Sequence, residues 1–397
     1  MTETSIIVHR VQPAGLLILA FMAGCSSAPD QLAKQLPEAV NPAAEAGTVL
    51  IEARTDAPPA PDYTAMRLTI AATGDIMLGT DFPEHRLAND DSAGYLAAAT
   101  PLLQAADIAF GNLEGVLMSG GEPAKKCSNP KACYLFRSPP HYARHLREAG
   151  FDVMSLANNH ARDFGEAGRD ASMAALDNAG ILHSGREGSV ASWQQGALRI
   201  AMIAFSPTKG SWPLLSIGIA ELAVAELATN HDIVLVSFHG GAEGSEAAER
   251  LGFTMEYAYG EPRGNVVDFA RRVIDAGAEL VIGHGPHVPR AMELYKQRLI
   301  AYSLGNFATY YGISVSGAKG YAPILLVQLD GTGRFTGGKL HAYRQIRPNG
   351  PAADRHDHAL NMIRDLTALD FPDGELLIDN DGLLLKRNAS APPETVP

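Results

Sequence analysis

Apolar residues along this chain gather in short runs, and stretches with apolar positions three or four apart separate them. The runs Leu68–Ala72, Ile108–Phe110, Val153–Leu156, Arg199–Phe205, Ile233–Phe238, Leu280–Ile282, Leu299–Ser303 and Ile324–Leu329 predict buried strands. Between them, His141–Ala149, Ala171–Asn178, Ile219–Ala228 and Val266–Ala276 predict helices. The first of these is bracketed by an expected Ser138-Pro139 start and a Gly150 stop. Strands alternating with helices are the signature of a layered α/β fold. The folded part is expected to begin near Tyr63.

The polar residues fall in a more telling place than the apolar ones. Each central run leads directly into a polar, Gly-containing string: TGDIMLG, GNLEG, ANNHARDFG, HGGAEG and GHGPH. In open α/β sheets, ligand sites lie beyond the carboxyl ends of strands, so turns distant in sequence can line one cleft. Each residue taken alone has a plain reading. Asp75 in a Gly-Asp turn is most often a turn or cap residue, Glu114 a solvated loop carboxylate, and His239 a hydrogen-bonded core imidazole. Asn158, Asn159 and His160 offer carbonyl oxygens and a ring able to donate a proton. His284 and His287 sit on a Gly/Pro turn that lets both rings converge, and neutral imidazole is the commonest protein ligand for transition metals.

Together, Asp75, Glu114, Asn159, His239, His284 and His287 form a mixed oxygen and nitrogen donor set. That set suits manganese, zinc or iron better than calcium or magnesium, and one or two divalent ions are expected. Arg137, Arg162, Asp163 and Glu243 lie beside these strings and are candidates to bind substrate or orient ligands. His85, His141, His145, His183, His231, His341, His356 and His358 lack a strand-end setting and read as structural or surface residues. Neither a nucleophile-elbow serine nor a phosphate-binding glycine loop occurs in a strand–turn–helix context.

Composition narrows the partners. A chain of 397 residues that is 46% hydrophobic can bury a full core, and a formal charge of −12 argues against nucleic acid as a partner. Residues 1–24 read as a signal peptide: His9 and Arg10 precede an apolar run too short to span a bilayer. The run ends in Met22-Ala23-Gly24-Cys25, which resembles the bacterial lipobox and makes Cys25 the candidate lipidation site. An ordinary signal peptide is the alternative. Residues 25–62 read as a flexible linker and 388–397 as a disordered tail. Cys127 and Cys133 flank a turn-rich stretch and are candidates for a local disulfide, with two reduced surface thiols as the alternative.

The strings GDIMLG, NLEG, SLANNHARDFG, FHGGAEG and GHGPHVPRAMELYKQRLIAYSLGNF, in this order, resemble the CapA family of capsule (poly-γ-glutamate) synthesis proteins. The likeness runs from about Leu68 to Leu329. It implies a branch of the calcineurin-like metallophosphoesterases: a four-layer αββα sandwich with a two-metal cleft, over 63–345, with 346–387 as a C-terminal extension packed on it. By that likeness Asp75, Glu114, Asn159, His239, His284 and His287 hold metal and His160 protonates the leaving group. Asn112, Asn158, Arg162, Glu243 and Asn306 are expected to bind substrate. Met77 departs from the pattern, because phosphoesterases carry a metal-binding His at that position, and Gly240 stands where the family often has Trp.

The lipobox-like string implies a lipid-anchored protein on the periplasmic or extracytoplasmic face, and the family resemblance implies a role at the cell envelope. There it would act in synthesis, export or processing of an anionic polymer such as poly-γ-glutamate, with membrane subunits of a capsule synthase as partners. A catalytic version would perform metal-assisted hydrolysis. The same residues also fit a non-catalytic polymer-binding or assembly subunit, or a metal-dependent amide hydrolase.

Overall fold

A computed structural model describes residues 63–92, 94–125, 134–243 and 249–387. The expected signal peptide with Cys25, the linker and the tail lie outside the described residues, as do Cys127 and Cys133. Two β-sheets pack face to face. The first has the strand order Leu376–Ile378, Leu383–Lys386, Phe335–His341, Ile324–Asp330, Arg67–Met77, Ile108–Leu113, Val153–Ser155, Leu182–Ser184. The second runs Met292–Tyr295, Arg298–Ala301, Leu280–His284, Ile233–His239, Leu198–Ser206, Ala191–Gln195. In the second sheet the central strands are parallel and the outermost pairs antiparallel. In the first, Arg67–Met77 through Leu182–Ser184 run parallel, and the strands on the other side of Arg67–Met77 pair antiparallel.

Alternation along each strand explains the layers. Ile70, Ala72, Ile108, Phe110 and Val153 face inward onto Ile200, Met202, Leu235, Leu280 and Leu299 of the other sheet. Their neighbours Ala71, Ala109 and Met154 point outward and are covered by Tyr142, Leu146 and Leu176 of the helices Tyr142–Ala149 and Gly165–Ala179. On the far side, Ile203, Val234, Val236 and Ile300 are covered by Ala220, Val224, Phe269 and Val273 of the helices Ile217–Asn230 and Val266–Asp275. Helix, sheet, sheet, helix is the expected αββα order. Residues of the C-terminal segment are woven into it: Leu360 and Ile363 of the helix His358–Asp370 enter the core between the sheets, and Leu383–Lys386 pairs with Phe335–His341.

Several expected boundaries need correction. The strand from Arg67 does not turn at Thr73 but runs to Met77, with its register shifting between Ala72 and Asp75. It continues because Asp75–Met77 gain a parallel partner, Asn306–Thr309. Asp75 and Asn112 therefore stand within strands, opposite each other, and not in turns. Ser138 is not the start of its helix: it pairs with Leu117 in a short strand and donates its hydroxyl to the Gly79 carbonyl at 2.5 Å, while His141 occupies the cap position. Gly150 does end that helix, in the left-handed conformation at φ 108°. Among the described residues no helix is long and apolar enough to cross a membrane.

Candidate metal centre

The carboxyl ends of the central strands of both sheets meet at one buried place. From the first sheet come Asp75 and Asn112, with Glu114 one residue past its strand end and Asn158, Asn159 and His160 just after Val153–Ser155. From the second come His239 and His284, in register with each other, and His287 in the following turn at φ 61°. Glycine permits the close approach of the strands: a Cβ on Gly74 would stand 2.0 Å from the Gly305 carbonyl oxygen.

Side chains knit the sheets together. Asn112 Nδ2 donates to Asp75 Oδ1 at 2.8 Å and lies 3.4 Å from His239 Nδ1. His284 Nε2 stands 3.1 Å from the Thr73 carbonyl, which only accepts, so this nitrogen carries the proton. His287 Nδ1 likewise faces two acceptors, Asp75 Oδ2 at 3.1 Å and Asn306 Oδ1 at 3.0 Å. That leaves His287 Nε2 3.7 Å from Glu114 Oε1, and His160 Nε2 stands 4.0 Å from the same oxygen. Asp163 accepts from His160 Nδ1 at 2.8 Å, and the ring of His160 rests on Phe136 with centroids 4.3 Å apart.

Donor atoms without partners mark the centre. Both carboxylate oxygens of Glu114, Oδ1 of Asn159 and Nε2 of His239 are buried and make no hydrogen bond. Buried polar atoms are otherwise nearly always paired, so four unsatisfied ligand-type atoms on residues at these strand ends fit a cation. Asp75, Glu114 and His287 each bring a ligand atom to within 4.8 Å of the others. Electrostatics agrees. Burial, with the like charges of Asp75 and Glu243, pushes Glu114 up to about 8 against the pull of His287. Burial would lower His287, but facing Glu114 and bonded to Asp75 it is held up to about 10. His239 and His284 are driven down by burial, which keeps both neutral and leaves the unpartnered Nε2 of His239 able to ligate. Burial would raise Asp75 too, but its bond to His287 holds it down to about 2 and it keeps its charge, so it is Glu114 that borrows a proton in place of a positive ion.

Not every expected residue opens onto this space. His284 has both nitrogens engaged, with Nδ1 3.5 Å from Ser237 Oγ. Asn112 and Asn158 are fully buried; Asn158 donates to Asn112 Oδ1 and the Leu113 carbonyl. Asn306 donates to the carbonyls of His287, Ser314 and Lys319. These three hold the centre's walls in place. Arg162 bonds Glu166 and the Lys209 carbonyl, and Arg137 pairs with Asp81. Met77, where a ligand would be expected, is buried with Phe136 and Ile313, and its sulfur accepts from the Gly79 N–H at 3.3 Å. Arg263 was not legible as a site residue: it is buried, ion-paired to Glu243 at 2.6 Å, and its Nε and Nη2 have no hydrogen-bond partner. Its Nη2 would stand 3.1 Å from a Cβ on Gly285, in the GHGPH turn.

Residues 69–311 match the family described as bacterial capsule synthesis protein PGA_cap. The chain belongs to this family. The PGA_cap match covers every strand-end residue of the centre, from Asp75 to Asn306. The capsule biosynthesis protein CapA of Bacillus anthracis is 27% identical over 262 residues, 61% of this chain and 59% of that protein. The chain thus spans less than two thirds of that relative. The PGA biosynthesis protein CapA of Bacillus subtilis (strain 168) is 26% identical over 355 residues, 83% of this chain and 86% of that protein. Among solved structures, a 5'-nucleotidase precursor from Thermus thermophilus aligns with TM-score 0.41 at 15% identity, over 77% of this chain and 60% of that one. The NAD nucleotidase of Haemophilus influenzae aligns with TM-score 0.36 at 11% identity, over 75% of this chain and 55% of that one. Likeness at this level leaves the chemistry to be read from the residues.

Proposed function

We propose that this protein acts at the cell envelope in the synthesis, export or processing of poly-γ-glutamate or a similar anionic polymer, through a divalent-metal hydrolase-like centre. Unpartnered, buried donor atoms on Glu114, Asn159 and His239, at the strand ends that also bring Asp75 and His287 to Glu114, carry this reading. Those five residues would hold the ion, with manganese, zinc or iron suited to the donor set. A divalent ion there would polarise a phosphoryl or carbonyl oxygen and neutralise charge built up during hydrolysis. Asp163 fixes His160 with its proton on Nδ1, so Nε2 is the atom that takes up and delivers a second proton to a leaving group. Asn112 and Asn306 hold Asp75 and His287 at a set separation.

A non-catalytic, polymer-binding subunit is the second reading, and Met77 favours it, since an apolar thioether packed on Phe136 supplies no hard donor. The purified protein should be assayed with phosphodiesters and with poly-γ-glutamate, with and without manganese, alongside its metal content. Turnover that needs manganese supports the hydrolase, and the substrate cleaved separates phosphoester from amide chemistry. Metal-independent polymer binding without turnover supports the second reading. Metal content unchanged in Glu114→Ala and His287→Ala would overturn the assignment of the centre.

A further inference from the structure

A second group of metal-capable side chains lies apart from the centre, on the helical layer that covers the first sheet. His141 occupies the cap position of the helix Tyr142–Ala149 with helical dihedrals, so it and His145 stand four residues apart on one face, ring centroids 6.0 Å apart. Asp91 reaches this face from a different segment. Its two oxygens lie 2.9 and 2.7 Å from His141 Nε2, and Oδ2 lies 3.6 Å from His145 Nε2. One ligand atom from each of the three falls within 4.8 Å of the others.

His145 supplies the independent observation. Its side chain is only 7% exposed, yet neither ring nitrogen has a hydrogen-bond partner. Leaving a buried imidazole unsatisfied costs free energy that an ion on Nε2 would recover. The other face of the ring is already arranged for this: Nδ1 looks toward Glu148 Oε2 at 3.8 Å. A carboxylate behind a histidine holds the proton on the far nitrogen and raises the basicity of the ligating one. The helix N-terminus disfavours a cation, but the charge of Asp91 opposes that field. His145 also borders a cavity of about 210 Å³ lined by Ser92, Thr100 and Glu148.

We propose that Asp91, His141 and His145 form a second binding site, for a divalent transition ion of the zinc type. Two imidazoles and one carboxylate are a zinc-type donor set, with a coordination position left for solvent. An ion there would tie the segment carrying Asp91 to the helix that covers the first sheet.

The test uses the full chain, stripped with chelator and dialysed against zinc or cobalt(II). The double variant Asp91→Asn/His141→Gln changes two half-exposed residues. It should hold one equivalent less than the wild type, however many ions the main centre binds. In the wild type, zinc should also slow acylation of His141 by diethyl pyrocarbonate several-fold, read by mass spectrometry. Equal metal content in both proteins, or a His141 rate indifferent to zinc, would overturn the site.

Discussion

His287 Nδ1 stands 3.1 Å from Asp75 Oδ2, a hydrogen bond between residues 212 positions apart. It fixes which nitrogen of His287 is left to face Glu114, and it ties the turn after one sheet to the central strand of the other.

His160→Ala should reduce turnover by about 10²–10⁴-fold while metal content stays at the wild-type level. Asp163→Asn should give a smaller loss, because the imidazole keeps its place on Phe136 but loses the carboxylate at 2.8 Å. Steady-state kinetics with metal analysis on the same samples would decide. Metal lost together with activity would make His160 a ligand.

Glu114 should change sign with the ion. In chelator, Glu114→Gln removes a buried carboxylate that has no hydrogen-bond partner, and should stabilise the fold by about 1–3 kcal/mol. With manganese present the same variant should be less stable than the wild type. Urea denaturation under both conditions reads this, and a variant equally affected in each would place Glu114 outside the centre.

Gly74→Ala should destabilise by about 1–3 kcal/mol or more, because the added methyl would collide with the Gly305 carbonyl and neither strand can move alone. Loss of bound metal should accompany it, since Asp75 donates its backbone N–H to that same carbonyl at 2.9 Å. A thermal midpoint within a degree of wild type would contradict this account of the Gly-Asp string.

Glu279, away from the centre, should make stability fall as pH rises. Burial lifts its carboxyl from 4.5 to about 7, against the Val234 N–H at 2.7 Å and the charge of Arg298. Below about 4.5 both folded and unfolded chains are protonated and there is no penalty. Between about 4.5 and 7 the folded state keeps a proton that the unfolded chain releases, so stability declines, and above 7 the cost is constant at up to about 3 kcal/mol. Glu279→Gln should therefore gain on the wild type at pH 8 and not at pH 4.5. Denaturation curves whose difference is the same at both pH values would rule this out.

The strand ends were readable because buried parallel strands are continuous apolar runs, and the polar residue that breaks each run stands out. Their lengths were not readable. Asp75 and Asn112 look like turn residues, yet both lie inside strands because the strand at Asn306–Thr309 gives Asp75–Met77 a partner that no local pattern announces. Edge strands such as Ala191–Gln195, with alternating exposure, resemble loops in composition. Arg263 was missed for a related reason: an arginine in a polar stretch reads as solvated, and no local pattern announces its buried ion pair with Glu243. His141 and His145 read as surface residues because their third member, Asp91, comes from a different segment.

The pairing of Asp75 with Asn306 has a consequence in time. A chain emerging in order from its N-terminus exposes Asp75 early, but the strand that completes its surroundings comes more than two hundred residues later. No partial product can hold the ion in the finished geometry. The metal would therefore be chosen by whichever compartment the completed body folds in, and by the ions free there at that moment.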